Sequence, residues 1–166
     1  METEEIIALG ALVVAVCSFA LTIYQASLAR EHNRVQVKPY LDLTWVSTLN
    51  DGFKCSLKNY GVGPAYVEKV NYYLDDEKYE VECSDDFKGL IVEVGLGNIP
   101  LKARYCHLHK HSALSSSEEI SLFELTYAEN KEYNKVDIEK CLERISVTVE
   151  YECSYGLKFT SQRSGF

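Results

Sequence analysis

The sequence predicts an α+β protein: an N-terminal transmembrane helix followed by a mainly antiparallel, β-sandwich-like domain that carries two short helices. Three observations point to this. Residues 6–29 hold no charged side chain. Apolar and polar residues alternate along several later segments, the period of a half-buried strand. Two other segments place apolar residues at i, i+3, i+4 and i+7, the period of a helix face.

The uncharged stretch comes first. As a helix rising about 1.5 Å per residue it reaches roughly 36 Å, more than the hydrocarbon core of about 30 Å. A cleaved signal peptide opens on basic residues, whereas this chain opens Met1-Glu-Thr-Glu-Glu5. The segment therefore reads as a retained span. Glu2, Glu4 and Glu5 precede it, and Arg30, Arg34 and Lys38 follow it with only Glu31 among them. Positive charge stays on the cytoplasmic side. The expectation is a single-pass protein of the bacterial inner membrane, N-terminus outside and C-terminal domain inside. Residues 1–34 form the anchor and basic joint, and residues 35–166 the cytoplasmic domain.

Within the span, Ala8, Ala11, Ala15, Ser18, Thr22, Gln25 and Ala29 recur at alternating spacings of three and four. Small residues let membrane helices approach closely, and hydroxyl and amide groups can bond between them. This stripe predicts self-association or the lining of a wet path. Ala, Ser and Thr are also common in membrane helices and can fall in register by chance.

The strands follow in order. Leu41, Leu43 and Trp45 alternate with Asp42 and Thr44; Phe53, Cys55 and Leu57 alternate with Lys54, Ser56 and Lys58. Asn50-Asp51-Gly52 between them reads as a hairpin turn. Val70, Tyr72 and Leu74 open a second hairpin with Asp75-Asp76-Glu77 at its tip and Tyr79 to Cys83 as its return strand. Ile120 to Tyr127 is a further strand. Ile145, Val147, Val149 and Tyr151 form another, which a turn around Ser154 to Gly156 joins to Leu157–Ser161. One helix is predicted on Phe87, Leu90, Ile91 and Val94, capped by Ser84 or Asp85 and ended by Gly95. The other is predicted on Ile138, Cys141, Leu142 and Ile145, with Asn134 as its cap.

The net charge of −8 argues against a duplex nucleic-acid partner, which needs a basic surface. None of the six cysteines forms a C-x-x-C pair. In a reducing compartment they are expected to be small buried hydrophobes rather than disulfides or zinc ligands. No nucleophile elbow, H-E-x-x-H or kinase signature occurs. The sequence therefore predicts a non-enzyme with no catalytic residues, no resident metal and no cofactor.

The most unusual segment is Arg104-Tyr-Cys-His-Leu-His-Lys-His111, which holds three of the four histidines. Read as one strand, it sends Tyr105, His107, His109 and His111 to one face and Arg104, Cys106, Leu108 and Lys110 to the other. Alternate histidines on a strand can share a zinc ion. Arg104, Lys110 and the histidines can also meet phosphates and base edges, with Tyr105 stacking on a base. A solvated strand that happens to be rich in histidine is the third reading. Lys58 and Tyr60 flank Gly61-Val-Gly-Pro64, which lacks both phosphate-loop spacings. That stretch reads as a turn between strands, with Lys58 and Tyr60 as secondary ligand candidates.

Several stretches resemble a set of bacterial anchored proteins: the joint Arg30-Glu-His-Asn-Arg34, the strand Lys38-Pro-Tyr-Leu-Asp-Leu43, the turn Asn59-Tyr-Gly-Val-Gly-Pro-Ala65 and the ending Tyr151-Glu-Cys-Ser-Tyr-Gly156. Within that set, size and layout look like a membrane-anchored type III CRISPR accessory effector activated by cyclic tetra-adenylate. The resemblance implies a homotetramer that binds this second messenger through its cytoplasmic domain and perturbs or opens the lipid bilayer in antiviral defence. One segment such as Arg104–His111 from each of four subunits would offer the fourfold ligand equivalent contacts. The competing expectation is an anchored protein-interaction module that recruits a partner through its β domain. A metal-dependent tethered hydrolase is a third.

Overall fold

The computed structural model describes residues 3–48, 52–99, 101–127 and 135–166. Two compact units make up the chain, Met1–Gln36 and Val37–Phe166.

The first unit is a single helix, α1 (Thr3–Gln36), in which no residue is buried. It is long and apolar enough to cross a membrane. The helix runs through Arg30 and Arg34 to Gln36, so the basic joint is helical. Within the small-residue stripe, the Thr22 hydroxyl donates to the Ser18 carbonyl at 2.8 Å. That bond satisfies the polar group inside its own helix.

The second unit is an α+β sandwich whose strand pairings are all antiparallel among the described residues. The first sheet has the order β1-β2-β7-β5, from Leu41–Thr48, Gly52–Asn59, Glu119–Tyr127 and Leu101–Tyr105. The second has the order β10-β8-β3-β4, from Ser164–Gly165, Ile145–Cys153, Ala65–Leu74 and Glu77–Tyr79. Two short strands extend this sheet: β6 (Ser112–Leu114) pairs with β3, and β9 (Lys158–Thr160) pairs with β8. Leu41, Leu43, Phe53, Cys55 and Leu57 of the first sheet share one buried core with Val67, Tyr72, Val147 and Val149 of the second. Trp45 packs edge-on against Phe123 at 5.4 Å, and its indole N–H donates to Ser164 Oγ at 3.2 Å. The alternation thus brings both sheets together over one shared core.

Two helices close the core. In α2 (Ser84–Ile91), Phe87, Leu90 and Ile91 are buried. A π turn, Val92–Leu96, continues it and reverses at Gly95, where φ is +105°. Glycine adopts that conformation without a Cβ penalty. The cap differs from the expected Ser84 or Asp85. Cys83 is the boundary residue, and Asp86 Oδ2 accepts from the backbone N–H of Glu82 (3.0 Å) and of Cys83 (2.9 Å). In α3 (Lys135–Leu142), Ile138 and Leu142 are fully buried. Ile145, expected on that helix face, instead opens β8. The proposed cap Asn134 lies outside the described residues, as do Asn50 and Asp51 of the first hairpin turn.

Other expectations are adjusted as well. The hairpin after β3 turns on Asp75 and Asp76 alone, both with positive φ, the geometry of a two-residue hairpin loop. Its return strand β4 ends at Tyr79, short of the expected Cys83. Of the six cysteines, Cys55 and Cys153 are buried, Cys106 and Cys141 are half-buried, and Cys17 and Cys83 are exposed. Burial pushes the Cys55 thiol up to about 12, which leaves it an unreactive packing residue.

Candidate functional site

The histidine segment does not form one strand. Strand β5 ends at Tyr105, residues 106–111 cross from the first sheet to the second, and β6 begins at Ser112. The crossing is anchored at both ends: Cys106 N–H donates to Leu122 O at 2.8 Å, and His111 N–H donates to Val67 O at 2.8 Å. His111 sits at φ +65°, a left-handed conformation that a non-glycine residue adopts rarely. Strict alternation therefore stops at Tyr105. The four side chains expected on one face are distributed differently, which corrects the single-face reading.

Each predicted site residue can be placed. Arg104 is exposed on β5 and pairs with Glu124 at 3.6 Å. Tyr105 is half-buried and stacks on Phe87, with ring centroids 4.8 Å apart and planes inclined by 14°. Its ring lies 6.4 Å from that of Tyr72, and burial raises the pKa of both phenols. Phe87 thus covers one face of the ring on which a base was expected to stack. His107 and His109 are exposed, with ring centroids 4.9 Å apart in an edge-on arrangement. Lys110 Nζ reaches Glu68 at 3.1 Å. The His111 imidazole Nδ1 lies 3.0 Å from Glu68 and 3.9 Å from Glu152. Lys58 lies over the Tyr60 ring at 5.1 Å, at the end of β2, where the pair lines none of the clefts described below.

Tyr105, His107 and Lys110 do share a cleft of about 350 Å³. Residues that the sequence reading missed complete its wall: Glu68 and Lys69 from β3, and Glu82 from the stretch after β4. Val70, Val81 and Leu108 supply its apolar lining. The wall therefore sets Lys69 and Lys110 against Glu68 and Glu82, with His107 beside them.

Glu68 owes its position to a β-bulge. The β3–β8 register passes from Val67↔Tyr151 to Lys69↔Glu150, leaving Glu68 unmatched. A bulge re-aims the side chain it carries. The Lys110 ammonium, hydrogen-bonded to Glu68, holds the carboxyl below the usual carboxylate range, aided by the charges of Lys110, His111 and Lys158. A second cleft of about 330 Å³ lies on the other side of Glu68, between Glu150, Lys158 and Phe159. A trace of the bulge was present in the sequence. Along Ala65–Leu74, the inward residues Ala65 and Val67 are odd-numbered, whereas Val70, Tyr72 and Leu74 are even. That change of parity marks the extra residue.

The same bulge decides which residues group as metal-type donors. Glu68, His111 and Glu152 each offer one ligand atom, all within 4.8 Å of one another. One of the three readings of the sequence had alternate histidines share an ion with each other. Instead, one histidine joins two carboxylates, and the Lys110 ammonium already rests on one of these. The geometry is that of an ion-pair cluster, with Glu68 on the β3 bulge, His111 just before β6 and Glu152 near the end of β8.

None of the curated proteins compared with this chain matches it. Residues 6–164 match the model of a protein family, and the match takes in both the apolar helix and the sandwich. The chain therefore belongs to the family described as Domain of unknown function (DUF8453).

Proposed function

We propose that the protein is a membrane-anchored binding module. Helix α1 crosses the bacterial inner membrane once, the sandwich stays on the cytoplasmic side, and the crossover cleft takes a segment of a partner polypeptide. The cleft lining carries this reading: two lysines balanced against two glutamates around Val70, Val81 and Leu108. A wall of both signs with an apolar floor complements a peptide that bears both signs. A ligand with several phosphates asks for an excess of positive charge. The test places a photo-crosslinking residue at Val81 in the full chain in native membranes. A discrete protein adduct, lost when Leu108→Asp is added, is the expected result. Labelling of lipid alone, or an adduct indifferent to Leu108→Asp, would overturn it.

One observation favours a second reading. Lys69 makes no ion pair among the described residues and shares the cleft with Lys110 and His107. That cationic side supports the cyclic tetra-adenylate effector that the resemblance implies, a homotetramer in which ligand binding favours one packing over another and α1 transmits the change. A ligand shifts such an equilibrium only by its differential affinity for the two packings. Calorimetry of the full chain in detergent discriminates the two. Saturable binding of the cyclic nucleotide that disappears in Lys69→Ala with Lys110→Ala would replace the peptide reading.

A further inference from the structure

The sandwich has two chemically different ends. Its first residues, Val37–Tyr40, lie at the end where β2 stops and β3 starts. Tyr60 N–H donates to the Tyr40 carbonyl at 2.7 Å, and Gly61 and Gly63 run so close to residues 37–40 that a Cβ at either would strike their backbone. Ala65 pairs with Cys153, so the loop before β3 and the turn after β8 project from this same end. Cys153 N–H donates to Leu157 O at 3.0 Å, which folds that turn back on the strand.

The exposed apolar surface concentrates there. Eight large apolar side chains of the sandwich are exposed among the described residues, and five of them, Tyr40, Tyr60, Val62, Tyr155 and Leu157, belong to this end. Scattered exposed apolar residues are ordinary, whereas a grouped set marks a contact surface. Lysines are interleaved with them. Lys58 lies over Tyr60, and Lys38 lies over Phe159 at 5.0 Å. Lys158 stands opposite Glu152 in the β8–β9 ladder. Four acids lie at this end: Asp42 accepts from Leu43 N–H at 2.9 Å, Glu118 accepts from Ser115 N–H at 2.7 Å, Glu119 faces Lys54 at 3.8 Å, and Glu152 lies 3.9 Å from His111. At the other end of β3 the hairpin tip reads Asp75-Asp76-Glu77, where Arg144 and Arg163 pair with Asp75 and Asp76.

We propose that the Tyr40–Tyr60–Tyr155 end of the sandwich docks on an anionic bilayer surface, with Val62 and Leu157 entering the headgroup layer and Lys38, Lys58 and Lys158 meeting lipid phosphates. Tyrosine places an apolar ring and a polar hydroxyl across such a boundary. Lysine lays its stem on apolar surface and extends its charge to the phosphates. The covalent chain supplies the proximity. Arg30–Gln36 are the helical residues between the uncharged stretch and Val37, a rise of about 10 Å. This inference rests on α1 being a retained span.

The test uses the full chain in vesicles of phosphatidylcholine and phosphatidylglycerol whose acyl chains carry bromine, a short-range fluorescence quencher. Tyr60→Trp and Tyr155→Trp are compared with Lys78→Trp, which sits at the acidic end, about 26 Å along β3 from Ala65. Trp45 is a constant background measured in the parent. The added fluorescence at 60 and 155 is expected to be quenched about twofold or more relative to that at 78, and less so once Lys38, Lys58 and Lys158 are changed to Gln. Protein that floats with the vesicles yet shows equal quenching at all three positions overturns the docking alone. Protein that does not float with the vesicles overturns the anchor and the docking together.

Discussion

Asn59 is completely buried, and its amide is fully used. Nδ2 donates to Gly63 O at 2.8 Å and Leu114 O at 3.1 Å, while Oδ1 accepts from Gly61 N–H at 2.9 Å and Tyr40 N–H at 3.2 Å. Four bonds are all that this side chain can make. They tie the start of β1, the loop before β3 and the end of β6 to one atom group. Each is worth about 1 kcal/mol net, and an unpartnered buried group costs more. Asn59→Ala should therefore destabilise the sandwich by about 3 kcal/mol, roughly a 10 °C drop in Tm for a domain of this size. Thermal melts of the detergent-solubilised chain measure it, and a Tm within a degree or two of the parent would contradict it. In the sequence, the neighbouring Lys58 and Tyr60 stand out as ligand candidates and the glycines as a turn. The turn was legible because Gly-x-Gly-Pro punctuates a chain. The role of Asn59 was not, because two of its four partners, Tyr40 and Leu114, come from segments that only the tertiary fold brings near.

Elements were legible where burial on one face imposes a period. Strands β1, β2 and β8 bury the apolar residues of their alternation, β7 forms where a strand was expected but with a register shift opposite Cys55/Ser56, and α2 follows its i, i+3, i+4 spacing. The crossover failed for a reason local to it. Residues 106–111 alternate in composition, but they leave one sheet and enter the other, so no single pleat spans them. The bulge at Glu68 hid the wall of the cleft in the same way, by shifting the parity of one strand. In α1 the period is a stripe of small residues rather than a buried face. The Thr22–Ser18 bond leaves close packing, rather than the Thr22 hydroxyl, as the force available between sister helices. Ser18→Leu with Thr22→Leu should then weaken self-association roughly tenfold, about 1.4 kcal/mol. Light scattering of the intact protein in detergent reads this as a shift to smaller particles, and unchanged stoichiometry would argue that lipid covers that face.

At the scale of the molecule, fold class was legible and sheet order was not. Alternation says which face of a strand is buried but not which strand lies beside it. The largest interfaces join β2 to β7 and β3 to β8, pairs far apart in sequence that only the closing of the core selects. The division between the units is sharper than the pairing, since a helix without one buried residue meets a domain with a continuous core at Gln36/Val37.

With α1 as the proposed span, orientation is an all-or-nothing property, because the whole sandwich would follow it to one side of the bilayer. Glu4 and Glu5 lie in the first turn and Arg34 in the last, so the charge step across the span is steep. Basic residues beside a span are retained on the cytoplasmic side, and acids contribute little. Arg30 and Arg34 should accordingly set the topology. Protease added to intact spheroplasts should leave the sandwich undigested, and detergent lysis should expose it. Changing Arg30 and Arg34 to Glu while adding two lysines before Ile6 should reverse the pattern in a measurable fraction of molecules. Digestion of the parent sandwich in intact spheroplasts would place the domain outside the cell and remove the cytoplasmic partner and the cyclic-nucleotide ligand alike. It would leave the docking end intact as chemistry, facing the opposite leaflet.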